Sequence, residues 1–274
     1  MRPVVFLSDF GVDDAFVGTC HAVLKRIAPG LDVIDLTHGI GPQQVLQGAL
    51  ALHDAAPYLP ADAIVLAVVD PGVGSKRRAI AVRGADRRFY IGPDNGLLLL
   101  AAERAGPLFD ARELSDPRYR LDPVSATFHG RDVFAPAAAH LASGVALTEL
   151  GPSLDPSLLT RVEVPAPVVA PGLLRAVVVA VDRFGNVQLG AGLEDLVAAG
   201  FVPGTQVVVE PGDAAPAGPA SAIVGRTFAD VVPGALLVHE DSSGRLAVAV
   251  AGGSAAERLG LAAGAAVMLA RPGG

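Results

Sequence analysis

The sequence predicts an α/β protein, with an N-terminal doubly wound, mostly parallel α/β domain over 1–160 and a smaller C-terminal β-barrel domain over 172–274. Three observations predict it. In the first half, short continuous apolar runs alternate with amphipathic stretches, as in a sheet covered by helices on both faces. Pro152, Pro156, Pro165, Pro167 and Pro171 then make a semi-rigid connection, whose linker is assigned to 161–171. Beyond it, short strand-like runs bounded by turn residues prevail.

The first run, Pro3 to Leu7, reads as a buried strand ending in Ser8-Asp9-Phe10-Gly11. Asp13 and Asp14 follow and read as helix caps. Ala15, Phe16, Cys20, Val23 and Leu24 recur at helical spacing, and Pro29-Gly30 stops that helix. Val33 to Leu36 is a second strand, Thr37-His38-Gly39 its carboxyl end, and Gln43 to Tyr58 a helix. Ala63 to Val69 delivers Asp70 to a strand end, where Pro71, Gly72 and Gly74 enforce a turn. Strands at Ala79–Val82 and Phe89–Ile91, a helix from Leu97 to Ala105 and another from Val133 to Ala142 complete the half.

In the second half the strands are Ala176–Val181, Asn186–Leu189, Gln206–Val209, Ala235–Val238, Leu246–Val250 and Ala266–Ala270. A short helix falls near Leu193–Ala199, and Gly212 to Pro219 is a loop by composition.

Composition narrows the function. A formal net charge of −7 disfavours a phosphate-backbone partner, so no nucleic acid is expected. No uncharged apolar run reaches membrane-spanning length, so no membrane partner is expected either. The lone Cys20 excludes an intrachain disulfide and fits a reducing, cytoplasmic setting. No P-loop, dinucleotide fingerprint or nucleophile elbow is present, and no cysteine–histidine cluster suggests zinc. The acidic balance is compatible with a cationic small molecule.

Ligands of open α/β sheets collect beyond the carboxyl ends of strands, which directs attention to Asp9, Asp70 and Arg77. The competing reading of Asp70 and Arg77 is a surface ion pair closing a hairpin. His129 sits between Phe128 and Gly130-Arg131-Asp132 at a loop-to-helix junction, and its near-neutral pKa suits proton transfer. His38 reads as structural or supporting, and His21, His53 and His140 fall within helical patterns. Asp182 and Asn186 flank a tight turn and would suit an amine and a nucleobase edge. Phe228 offers a stacking surface, and the hydroxyls of Ser242 and Ser243 could hold a carboxylate.

SDFG at 8–11, VDPGVGS at 69–75, GPDNGLL at 92–98, FHGRD at 128–132, DRFGN at 182–186 and RTFAD at 226–230 occur in this order. Together they resemble the S-adenosyl-L-methionine (SAM) hydrolase, or SAM hydroxide adenosyltransferase, family, relatives of the fluorinase and chlorinase. The resemblance spans nearly the whole chain. It implies a homotrimer with active sites between subunits, and hydrolysis of SAM to adenosine and L-methionine without a cofactor or metal. The family's water-activating set falls on Asp70, Arg77 and His129, its ribose ligand on Asp9, its methionine amine ligand on Asp182 and its adenine contact on Asn186. Phe228 matches an aromatic of the adenine pocket. The halogenases carry tyrosine at the position of His129 and lack Asp70, and the fluorinase has serine for Gly130. These departures imply water as nucleophile. The fluorinase's carboxylate-binding Ser-Arg pair is replaced by Ser242-Ser243.

Two further readings compete. Asp9-x-Gly11-x-Asp13-Asp14 partly matches the calcium-binding opening of nucleoside N-ribohydrolases, with Leu7 where their first aspartate stands. A nucleoside- or SAM-binding sensor without turnover is the non-enzymatic alternative.

Overall fold

The computed structural model describes residues 1–212 and 216–273. Positions 213–215, inside the loop read at Gly212–Pro219, lie outside the described residues. The chain divides into two compact units, Met1–Glu163 and Val164–Gly274.

In the first unit, β1 (Val4–Ser8) has all five residues buried, as a strand covered on both faces must. Its side chains alternate between two cores. Val4 and Phe6 join one with α1 (Phe16–Ile27). Leu7 joins the other with α2 (Val45–Ala55), which follows β2 (Val33–Thr37). Then come β3 (Ile64–Val68), β4 (Ala79–Arg83), β5 (Phe89–Pro93), α3 (Leu99–Ala102), β6 (Asp110–Glu113) and α4 (Ala135–Ala142). The sheet order is β2-β1-β3-β5-β4-β6, with β2, β1, β3 and β5 parallel and β4 antiparallel to both its neighbours. α1 packs on α4 over one face, and α2 on α3 over the other.

Several local expectations change. Asp13 and Asp14 do not cap α1, because Gly11 adopts φ 68° to reach His38 O and the helix starts only after Ala15. α2 starts late because Gln43, at φ 65°, cannot be helical. β2, read as a strand, forms the half-exposed edge of the sheet. α3 is a single short turn, since Gly106, at φ 133°, soon redirects the chain toward β6. Ahead of α4, Gly130–Phe134 forms a wide π-type turn, so Gly130-Arg131-Asp132 opens the helix instead of preceding it.

In the second unit, β7 (Val168–Ala170), within the proline-rich stretch, pairs with the start of β8 (Leu173–Val181). β9 (Val187–Gly192), α5 (Leu193–Ala198), β10 (Gln206–Pro211), β11 (Ala220–Val224), β12 (Leu236–Glu240), β13 (Arg245–Val250), α6 (Ala255–Leu259) and β14 (Ala266–Ala270) follow. The pairing β14-β10-β11-β12-β13-β9-β8 is closed by β14 on β8, giving a seven-stranded barrel. Closure leaves no free edge among those strands. Among the described residues, no helix is long and apolar enough to cross a membrane.

Candidate active site

β1 and β3 are adjacent and parallel, so Asp9 and Asp70 emerge together at their carboxyl ends, with Asp9 N on Val68 O at 3.3 Å. After Asp70 the chain turns sharply. Ser75 Oγ donates to Gly72 O at 2.7 Å and accepts from Arg77 N at 3.2 Å. Gly74 is required here: its φ is 76°, and a Cβ would lie 2.4 Å from Ala126 O.

This turn folds Arg77 back onto Asp70. Arg77 Nε donates to Oδ1 at 2.9 Å and Oδ2 at 3.1 Å, and Nη2 donates to Oδ2 as well. The side chains are only 10% and 6% exposed, and β5 separates β3 from β4. The hairpin reading with a surface ion pair therefore fails.

Arg77 Nη2 also lies 2.8 Å from His129 Nδ1, and the guanidinium carbon sits 5.1 Å from the Phe134 ring centroid. Guanidinium has no acceptor, so Nδ1 must accept, and a neutral His129 carries its proton on Nε2. Burial, then the Arg77 charge, pushes the His129 pKa down and keeps the ring neutral.

The loop before His129 is held by Asp132. Its Oδ2 accepts from Ser125 N at 2.8 Å and Arg131 Nη2 at 2.8 Å, and Oδ1 accepts from Arg131 Nε at 2.6 Å. Burial raises this carboxyl's pKa, but the Arg131 and Ser125 bonds outweigh it and hold it below the usual carboxylate range. Asp94 and Asn95 brace the other side: Arg78 Nε donates to Asp94 Oδ2 at 2.8 Å, and Asn95 Nδ2 to Val69 O at 2.8 Å. The GPDNG motif is thus scaffolding for the Asp70 strand end.

Asp9, Phe10, Asp70, Val73, Thr127, Phe128, His129 and Gly130 line part of a niche of about 70 Å³. At roughly 30 Å³ per water, it admits about two. Arg77 is not in the lining and touches Asp70 and His129 from behind. At Gly130 a Cβ would lie 2.8 Å from Phe10 Cζ, so a side chain there requires the Phe10 ring to shift. Asp9 Oδ2 accepts from Gln43 N at 2.9 Å. Among the described residues, the cluster of three possible metal ligands does not include Asp9, Asp13 or Asp14.

The second unit carries a cavity of about 730 Å³, within the usual range for small-molecule sites. Asp182, Asn186, Phe228 and Ser242 line it; Ser243 is not in the lining, and its amide donates to Asp241 Oδ1 at 2.8 Å. The β8–β9 turn presents the first two. Asp182 Oδ1 accepts from Phe184 N and Asn186 N, each at 2.9 Å, and Oδ2 accepts from Asn186 Nδ2 at 2.7 Å. That bond turns the Asn186 carbonyl away from Asp182. Phe184, Gln188 and His239 also line the cavity. The apolar run Ala235–Val238 stops short of His239, which lies within β12 because the strand continues to Glu240.

The model of the SAM hydroxide adenosyltransferase N-terminal domain matches residues 4–151, and that of the C-terminal domain matches 176–268. The chain belongs to this family. It is 48% identical to a Salinispora tropica protein named (R)-S-adenosyl-L-methionine hydrolase, over 95% of each chain. A Thermus thermophilus protein of the same name is 44% identical, over 98% of this chain and 100% of its own. A fluorinase of Actinopolyspora mzabensis is 29% identical over 98% of each. Among solved structures, the crystal structure of an uncharacterized conserved protein from Thermotoga maritima matches with a TM-score of 0.88 at 34% identity, covering 98% of this chain and 100% of that one. In this SAM hydroxide adenosyltransferase family member, the N-terminal match contains the Asp70–Arg77–His129 cluster, and the C-terminal match contains the cavity-lining turns.

Proposed function

We propose that this chain hydrolyses SAM to adenosine and L-methionine by attack of water on the ribose C5′. The observation that carries the reading is the cluster in which Arg77 holds Asp70 and His129 at the wall of a water-sized niche. The names of the relatives at 44% and 48% identity support it.

The sulfonium is already a good leaving group, so no acid and no cofactor is required. As the C5′–O bond forms, the C5′–S bond breaks and its electron pair returns to sulfur as the neutral thioether of methionine. The water must be placed in line and lose a proton. His129 Nδ1 is occupied by Arg77 and its Nε2 is protonated, so His129 donates to the water and Asp70 accepts from it. Asp9 binds the ribose hydroxyls, Asn186 and Phe228 bind the adenine, and Asp182 binds the methionine amine. Ser242, the one of the two serines that lines the cavity, takes its carboxylate.

The working protein is proposed to be a cytoplasmic homotrimer with active sites between subunits. Exposed Phe184 and Phe228, at 78% and 43%, are apolar surface of the kind that a substrate or partner covers. Cys20 is consistent with a reducing setting: it is buried, and burial pushes its thiol up to about 12.

The test is incubation with SAM in ¹⁸O-labelled water. The label is expected in adenosine at C5′, with methionine unlabelled. Release of adenine, or adenosine without label, overturns the reading.

A further inference from the structure

We infer that His21, Asp35 and His38 form a binding site for a divalent transition-metal ion of the zinc class. The site is built from three elements of the first unit. Asp35 lies on β2 in register with Phe6 of β1, on the face covered by α1. α1 brings His21, and the chain leaving β2 brings His38. His21 Nε2 lies 2.8 Å and His38 Nε2 3.1 Å from the same oxygen, Asp35 Oδ1, and the three ligating atoms all lie within 4.8 Å of one another.

A second observation comes from His38 itself. Its side chain is only 5% exposed, and apart from the 3.1 Å contact with Asp35 Oδ1 inside the cluster its Nε2 has no partner. A buried ring nitrogen in this condition needs a partner of some kind. The opposite nitrogen, Nδ1, is 2.7 Å from the fully buried Ser8 Oγ, which fixes the ring and aims Nε2 at the cluster. A ligating imidazole is ordinarily oriented by such a bond on its far nitrogen. Phe6 adds an apolar wall, with its ring centroid 4.7 Å from that of His38 and 6.2 Å from that of His21.

The donor set selects the ion. Two imidazoles and one carboxylate suit zinc, nickel or copper, whereas magnesium and calcium take oxygen ligands. Tetrahedral zinc, with bonds of about 2.0–2.1 Å, places its donors roughly 3.3 Å apart. The observed separations from Oδ1 need only small side-chain rotations to meet that spacing. His21 and Asp35 are partly exposed, which gives the ion an entrance and leaves its fourth position to water.

The site also bears on the reaction half. Ser8 precedes Asp9, and Gly11 N donates to His38 O at 2.8 Å. An ion on His38 would brace the segment that carries Asp9.

The test uses full-length protein without a histidine tag, stripped by chelator. Zinc is titrated calorimetrically, and Co(II) is added as a spectroscopic probe. One equivalent should bind, with the visible d–d bands of a tetrahedral nitrogen–oxygen site, and zinc should raise the Tm. His21→Ala and Asp35→Asn change partly exposed side chains and should fold, as circular dichroism will verify. Both should lose the Co(II) bands and the zinc-dependent rise in Tm. Absence of stoichiometric binding in the unaltered protein, or binding unchanged in both variants, overturns the assignment.

Discussion

The niche of the first unit and the cavity of the second are built by different physics. The niche is small, and two of its lining groups, Asp70 and His129, are held by one guanidinium that donates to both. Two scaffolds, the buried Asp132 and the pair of buried Asp94 and partly buried Asn95, hold the loops on either side. The cavity is an order of magnitude larger, and much of its polar lining comes from hairpin turns whose carboxylates accept backbone amides. Under the proposed function the first arrangement serves a chemical step, in which small displacements are costly. The second is preorganised for recognition, where each contact contributes separately. Changes to the niche should therefore act on turnover, and changes to the cavity on affinity.

The largest expected effect is in the niche. Asp70→Asn keeps the shape but removes the acceptor charge, and kcat should fall on the order of 10²-fold or more while SAM still binds by calorimetry. Loss of binding with turnover intact would reverse the comparison.

A mixing experiment sharpens it further. Asp70→Asn and Asp182→Ala proteins, each inactive alone, should recover activity after subunit exchange if a trimeric site takes its niche and cavity from different chains. Mass spectrometry that verifies exchange with no recovery would instead assign both to one chain.

In the cavity, Phe228→Ala removes one stacking face. At about 1–3 kcal/mol per stacked base, KM should rise roughly 5- to 150-fold with kcat nearly unchanged. A comparable loss in kcat would break the division between the two regions.

The smallest effect is the position of a pH limb. Protonating His129 at Nδ1 would set a second donor against Arg77. Because burial and Arg77 depress this pKa, the acid limb of kcat/KM should lie below 6.5, the ordinary imidazole value. The sign for stability is the same: the unfolded chain takes up this proton first, so the contribution of His129 is complete above 6.5 and is lost as pH falls through the folded value. A limb above 6.5 would contradict the neutral Nε2–H ring.

Much of the fold was legible because the signals are local. A continuous apolar run such as Val4–Leu7 or Ile64–Val68 reports burial on both faces, and apolar residues at helical spacing report α1. Of the candidate site, the residue types and the strand ends bearing Asp9 and Asp70 were legible for the same reason. The Asp13–Asp14 caps failed because a glycine turn displaced the helix start, which no spacing rule records.

By itself the sequence determined the alternation of strands and helices, the proline-marked change of composition and the order of its motifs. Only the tertiary structure decided that β5 inserts between β3 and β4, that Arg77 joins Asp70 to a histidine fifty-two residues later, and that His38 meets Asp35 and His21. The physical reason is range. Periodicity and turn chemistry act between near neighbours in the chain, whereas these contacts depend on strand order and on which faces the helices cover, and packing of the whole sheet sets both.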